Sequence, residues 1–169
     1  MLIRQETPKD FAEVEELIEN SFANAEHSDG NEHKLVAALR KSTAFVPELS
    51  IVAESSGRLV GYILFTEAQV DGQTVLALAP LAVAPDAQKQ GIGSALMRVG
   101  HQIAKELGYS YSIVLGSEQY YPRLGYLPAE QFSIVAPFEV PKENFMALCL
   151  QDRAVAIKGV VQYAAEFGI

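Results

Sequence analysis

The strongest chemical signal in the chain is the run Leu81-Ala82-Val83-Ala84-Pro85-Asp86-Ala87-Gln88-Lys89-Gln90-Gly91-Ile92-Gly93-Ser94. A strand pattern ends at Val83, a short polar turn follows, and Gln88 to Gly93 opens a helical pattern. Glycine lets backbone approach a ligand closely, and the first turn of a helix offers N–H groups with no intrahelical acceptor. The helix dipole adds positive potential at the same end, so the place suits a phosphate or pyrophosphate. Fixed backbone donors also explain how an acidic protein can hold a polyanion. Two other phosphate loops do not fit. The Walker loop ends in Gly-Lys-Ser/Thr, whereas Gly93 is followed by Ser94 and Ala95. The dinucleotide fingerprint wants a third small residue where Leu96 stands. A plain glycine-containing helix entry is the competing reading.

The strand before the loop carries a second signal. Leu76 and Leu78 share one phase, but Leu81 and Val83 fall on the other, with Pro80 between them. Proline cannot donate to a ladder, so the slip predicts a bulge. A bulge here would splay the strand from its neighbour and open a cleft beside the loop. The alternative is a strand that stops at Ala79.

Several elements must hold that site. Residues 2–5 read as a first strand. Thr7-Pro8-Lys9-Asp10 reads as a helix start, with Phe11, Val14, Leu17, Ile18 and Phe22 following at helical spacing. Residues 24–33 read as a polar loop, and Leu35, Val36 and Leu39 mark a second short helix. Strands are expected at 51–54, 59–70 and 73–83, with Asp71-Gly72 as a strong hairpin turn between the last two. A helix over 91–107 follows, with Ile92, Leu96, Val99, Ile103 and Leu107 on its apolar face. The next strand, 111–115, should lie parallel to 73–83 through a crossover. Residues 117–124 read as a short helix or turn, and further strands are expected near 132–136, 144–151 and 155–163. This order describes an α+β fold on one mixed sheet.

Composition narrows the function. The 169 residues, 49% hydrophobic and 20% charged, fit one globular domain spanning 1–169. A net charge of −8, a pI of about 4.9 and the lack of a basic stretch argue against nucleic-acid binding. With no basic apolar leader and no run of membrane-spanning length, the expectation is a soluble, cytoplasmic protein without a membrane partner. The lone Cys149, in an apolar run, reads as a structural thiol. Glu26, His27, Asp29 and His33 match no common metal spacing and read as a polar loop, so no metal is expected. His101 reads as solvated, on the helix face away from the core.

Leu81-Ala82-Val83-Ala84-Pro85 followed by Gln88-Lys89-Gln90-Gly91-Ile92-Gly93 resembles the acetyl-CoA-binding motif of the GNAT superfamily, Gln/Arg-x-x-Gly-x-Gly/Ala. Tyr120-Tyr121-Pro122-Arg123-Leu124-Gly125-Tyr126 resembles the later GNAT segment, in which a tyrosine stands four residues before a Gly-aromatic pair. The tail, with Phe145-Met146-Ala147-Leu148 and Lys158 to Tyr163, is similar to a subgroup of small bacterial GNAT proteins predicted to be acetyltransferases. The resemblance implies the GNAT fold: a mostly antiparallel central sheet flanked by helices, with a splayed parallel strand pair.

It also implies roles. The backbone of Gln88, Lys89, Gln90, Gly91, Ile92, Gly93 and Ser94 would hold the CoA pyrophosphate. The pantetheine arm would pair with Leu81, Ala82 and Val83 as an added half-strand. An N–H near Val83 would stabilise the oxyanion formed when an amine attacks the thioester. Tyr121 would be the general acid for the departing thiolate, and Tyr120 a packing residue. Glu67, in register with Gly61, Ile63 and Phe65, is a candidate base, directly or through water; a solvated strand-end charge is the competing reading. Glu118 is a more distant candidate. The implied reaction is N-acetylation of an unidentified amine by acetyl-CoA in a ternary complex. The alternatives are an acyl-CoA sensor without catalysis, and an enzyme using a longer acyl donor or acyl carrier protein. GNAT proteins are often dimers, and the C-terminal strands offer a surface for a homodimer.

Overall fold

The start of the first helix shows how local chemistry sets the elements. In the computed structural model, which describes residues 1–25, 28–153 and 155–169, Asp10 Oδ2 accepts the Thr7 N–H at 2.8 Å. Pro8 occupies the first turn, where a missing N–H costs nothing. Arg4 clamps the same carboxylate at 2.7 and 3.0 Å, tying the helix start to the first strand.

The described elements run β1 (Leu2–Gln5), α1 (Phe11–Phe22), α2 (Glu32–Leu39), β2 (Phe45–Ser55), β3 (Arg58–Val70), β4 (Gln73–Val83), α3 (Ile92–Glu106), β5 (Tyr111–Leu115), β6 (Leu127–Pro128), β7 (Ile134–Val135), β8 (Phe145–Cys149) and β9 (Gly159–Gln162). The sheet is ordered β1-β2-β3-β4-β5-β8-β6, and β9 pairs with both β3 and β7. The pairs along that order are antiparallel except β4 with β5, which are parallel across the α3 crossover. This is the α+β architecture expected from the sequence, with its meander through Asp71 and Gly72.

The bulge is present. Phe65 pairs with Leu78 and Ile63 with Leu81, so β4 spends three residues where β3 spends two. The peptide bond before Pro80 is cis. The strand does not stop at Ala79 but continues in register to Val83, which faces Gly61. The β4–β5 pairing covers Leu76 with Ser112 and Ala77 with Ile113. Beyond these residues the two strands diverge, and a cleft opens between them.

Three expectations are corrected. The second strand is longer than 51–54, because β2 begins at Phe45 and passes an irregular stretch before Ser50. Pro47 and Glu48 break the alternation there and are exposed, which hides the strand from a periodicity reading. His33 lies in the first turn of α2 rather than in a loop. The buried face of α3 is also rotated from the one expected: Leu96, Met97, Gly100 and Ala104 are buried, whereas Leu107 is exposed and Val99 and Ile103 flank the core. Small residues account for the rotation. A Cβ on Gly100 would lie 2.3 Å from Phe65 Cε1, and one on Gly61 would lie 2.8 Å from Leu96 Cδ1. The helix sits close to the sheet on side chains that carry no hydrophobic signal.

The opposite sheet face carries a buried polar network. Arg40, just past α2, donates its Nε–H to Glu6 Oε1 at 3.1 Å. Ser50 Oγ–H donates to the same oxygen at 2.7 Å, and Ser50 and Tyr62 share a hydrogen bond of 2.7 Å. The Arg40 guanidinium also lies 4.0 Å over the Phe11 ring. Together these contacts fasten the helical pair to β1, β2 and β3.

Candidate active site

The backbone of β4 prepares one wall of the cleft. Ala84 N–H donates to Val60 O at 2.9 Å, and in an antiparallel ladder such bonded pairs alternate with unbonded ones. Ala82 therefore turns its backbone groups towards β3, while Leu81 and Val83 turn theirs towards the gap left by β5. The Val83 carbonyl accepts Ser21 Oγ–H at 3.0 Å and Gln88 Nε2–H at 3.1 Å. The Leu81 and Val83 N–H groups face the gap.

The loop from Gln88 to Gly93 continues this wall. Lys89 and Gly91 are left-handed, with φ of 63° and 85°, and curl the chain into α3. Gly91 is the N-cap and makes no side-chain cap, so the N–H groups of the first turn stay available. Leu81, Val83, Gln88, Lys89, Gly91, Ile92, Gly93, Ser94, Tyr120 and Arg123 surround a cleft of about 610 Å³. That volume lies in the range of small-molecule and cofactor sites. Of the residues assigned to cofactor binding from sequence, two stand apart from the lining. Ala82 is buried against the core, and Gln90 is exposed, with Nε2 3.5 Å from Asp86 O.

The two tyrosines occupy different places. Tyr120 packs against the core, as expected for a packing residue, and also lines the cleft. Its hydroxyl reaches the far wall, where a Cβ on Gly93 would lie 2.6 Å from Oη. Tyr121 seats its ring on Gly116, whose Cβ would lie 2.4 Å from Tyr121 Cε2. Its ring meets Tyr120 and Tyr126 edge-on, with centroids 5.1 and 5.7 Å apart. Burial pushes the Tyr121 phenol up to about 12.

Glu67 is not among the residues lining this cleft. It faces the α3 side as its phase predicts, but it pairs with Leu76, on the joined side of the bulge. There its Oε2 accepts the Tyr109 hydroxyl at 2.6 Å. Glu118 is exposed and accepts Asn144 Nδ2–H at 2.6 Å. His101 is not solvated. Its Nε2 is 2.8 Å from Tyr126 Oη, which also bonds Ser112 Oγ at 2.8 Å, and burial pushes the imidazole down to about 4. Cys149 is on β8, with Sγ 3.1 Å from Gln151 O. Glu26 and His27 lie outside the described residues. His33 Nε2 is 3.7 Å from Glu19 Oε1, and Glu15 completes a surface group whose ligand atoms all lie within 4.8 Å of one another. Arg123 was missed by the sequence reading; its three-residue spacing from Tyr120 was the available signal.

Comparison with known proteins bears on this arrangement. Residues 11–126 match the Acetyltransferase (GNAT) family. The chain belongs to that family. It is therefore an N-acetyltransferase of the GNAT type, an acyl-group transferase. It is 35% identical over 148 residues to the uncharacterized N-acetyltransferase YjhQ of Escherichia coli (strain K12), covering 85% of this chain and 79% of that one. It is 30% identical over 170 residues to the uncharacterized N-acetyltransferase YhbS of the same strain, covering 99% and 98%. Among solved structures, Escherichia coli YhbS in complex with CoA superimposes with a TM-score of 0.90 at 29% identity, covering 99% of this chain and 92% of that one. A GNAT family acetyltransferase from Brucella melitensis in complex with acetyl-CoA gives 0.82 at 30% identity, covering 98% and 97%. The GNAT fold is thus shared across nearly the whole chain, including the tail.

Proposed function

We propose that residues 1–169 act as one domain that transfers the acetyl group of acetyl-CoA to a primary amine of a small molecule, peptide or protein. The observation that carries this reading is the β4–β5 cleft, where the Leu81 and Val83 N–H groups turned away from β3 lead directly to the uncapped first turn of α3. The left-handed Gly91 and the bare Gly93 suit a pyrophosphate approaching that turn. When bound, acetyl-CoA supplies the activated thioester.

The chain's own residues then orient and stabilise. The N–H groups of Leu81 and Val83 hold the pantetheine amides in the manner of an added strand, and one of them faces the developing oxyanion. Tyr121 keeps its proton at every physiological pH. Full transfer from a phenol near 12 to a thiolate whose conjugate acid lies near 8.5 is uphill by roughly 5 kcal/mol, so Tyr121 acts mainly by hydrogen-bond donation to the leaving sulfur. Attack is direct, within a ternary complex, which needs no enzyme nucleophile; the one cysteine is on β8. The proposed setting is the cytoplasm, where an acyl-CoA donor and a lone reduced thiol are both at home. No helix among the described residues is long and apolar enough to cross a membrane.

Calorimetric titration with acetyl-CoA, followed by a thiol-release screen against amines, tests the reading. Micromolar binding with amine-dependent CoA release is the expected result. Binding without release from any amine favours a sensor, and no binding removes the proposal. Gly91→Asp should abolish binding by placing a carboxylate against the pyrophosphate. Tyr121→Phe should keep affinity and lower turnover roughly tenfold or more; unchanged turnover would move the acid role elsewhere.

A further inference from the structure

One buried polar cluster has no part in the reaction described above. Tyr126 Oη lies 2.8 Å from Ser112 Oγ on β5 and 2.8 Å from His101 Nε2 on α3. Tyr126 and Ser112 are fully buried, and His101 is part-buried with its ring 5.9 Å from that of Phe65. Burial keeps the imidazole neutral at ordinary pH, so Nε2 accepts from the phenol in one tautomer and donates to it in the other. Apolar side chains would fill the same space without the cost of desolvating three polar groups. What the hydrogen bonds add is direction: they fix where the Tyr126 ring stands more narrowly than packing alone would. That ring supports Tyr121. Gly125, left-handed at φ 96°, turns the chain so that Tyr126 enters the core. Gly125 N–H donates to Pro122 O at 3.1 Å and Tyr126 N–H to Tyr121 O at 3.4 Å, so the backbone of Tyr121 hangs on the same two residues. The Tyr121 ring rests on Gly116 and meets Tyr126 edge-on at 5.7 Å.

We propose that His101 is a positioning residue for Tyr121, acting through Tyr126. Together with Ser112 it pins the Tyr126 hydroxyl, and the pinned ring sets the angle at which the Tyr121 phenol meets the leaving sulfur. His101 is not among the residues lining the cleft, so it touches neither donor nor acceptor. Its influence falls on the chemical step. Hydrogen-bond strength drops steeply with misalignment, so a small rotation of the Tyr121 ring is felt in kcat and not in donor affinity. The cluster draws on β5 and α3 at once, which are the strand and the helix that frame the cleft. This inference rests on the reading of Tyr121 as hydrogen-bond donor to the departing thiolate.

The test uses the full chain, with acetyl-CoA as donor and, as acceptor, the amine of fastest thiol release in the screen above. His101→Leu and Tyr126→Phe each remove the hydrogen bond and keep most of the volume, whereas His101→Gln keeps a polar group within reach of the phenol. Thermal midpoints are taken for every variant, and turnover is measured well below the lowest of them. His101→Leu and Tyr126→Phe should each lower kcat roughly tenfold, with KM for acetyl-CoA within about twofold of wild type. His101→Gln should recover most of that loss. In a Tyr121→Phe background, His101→Leu should lower kcat less than about twofold further, because the group it positions is already gone. If His101→Leu does not fold, Tyr126→Phe carries the same comparisons. A full tenfold loss in the Tyr121→Phe background would show that the cluster only supports the fold, and would overturn the proposal. Unchanged kcat in His101→Leu, with Tyr121→Phe slow, would sink the positioning role alone and leave Tyr121 in place. Unchanged kcat in Tyr121→Phe, or no CoA release by wild-type protein with any amine, would remove the role of Tyr121 and this inference with it.

Discussion

Replacing Gly100 by alanine probes the contact that sets α3 against the sheet. Without a tertiary partner, this change in a helix interior stabilises by about 0.5–1 kcal/mol, because glycine has more backbone freedom to lose. Here the added methyl would lie 2.3 Å from Phe65 Cε1 and 2.8 Å from Cζ, the first more than an ångström inside ordinary contact. Phe65 is fully buried and edge-on to His101 at 5.9 Å, so its ring has nowhere to go. Overpacking of this kind costs about 1–3 kcal/mol. The net expectation is a loss of about 1–2 kcal/mol, lowering Tm by about 3–6 °C for a chain of this length. Urea unfolding gives the free energy directly. Adding Phe65→Leu should relieve the clash, so the double mutant should lose less than the sum of the singles. A Gly100→Ala protein as stable as wild type, or more so, would refute the close packing and with it the explanation of the rotated helix face.

Arg40→Met should cost about 3–5 kcal/mol by stranding Glu6, whose side chain is 2% exposed; the double change Glu6→Leu with Arg40→Met should cost less, and both are read by denaturant unfolding. Acid should destabilise the fold in two steps. His101 titrates lower when folded, so its contribution is complete above about pH 6.5 and is lost as pH falls towards about 4; His101→Gln should remove this step, on the order of 2 kcal/mol. Asp10, held at about 2 chiefly by its hydrogen bonds from Arg4, contributes above about pH 4, and that contribution is lost as pH falls through about 2. Asp10→Asn should flatten the second step in acid-unfolding curves, and a curve with both steps intact in either variant would contradict the assignment.

Much of the site was legible because its signals are local. Two glycines at a strand–helix junction, a phase slip at Pro80 and an Asp-Gly turn each dictate backbone geometry over a few residues, and β4, its bulge and α3 follow from them. The same holds for the start of α1, where cap, proline and carboxylate are neighbours in sequence.

What the tertiary structure alone decided is where side chains point and which distant elements meet. Glu67 has the phase of a cleft residue, yet pairing with Leu76 puts it before the strands part, under Tyr109. Tyr120 and Tyr121 differ by one position in a tight turn, and only the seats at Gly93 and Gly116 bring the first into the cleft and leave the second outside its lining. His101 reads as polar on a helix surface until Tyr126, 25 residues away, comes to cover it. The strand β9 takes its place beside β3 beyond the end of β2, a pairing across some ninety residues that no local pattern encodes. Backbone conformation is set by neighbours along the chain, whereas burial and partnership are set by what folds against them, and the second cannot be read from spacing alone.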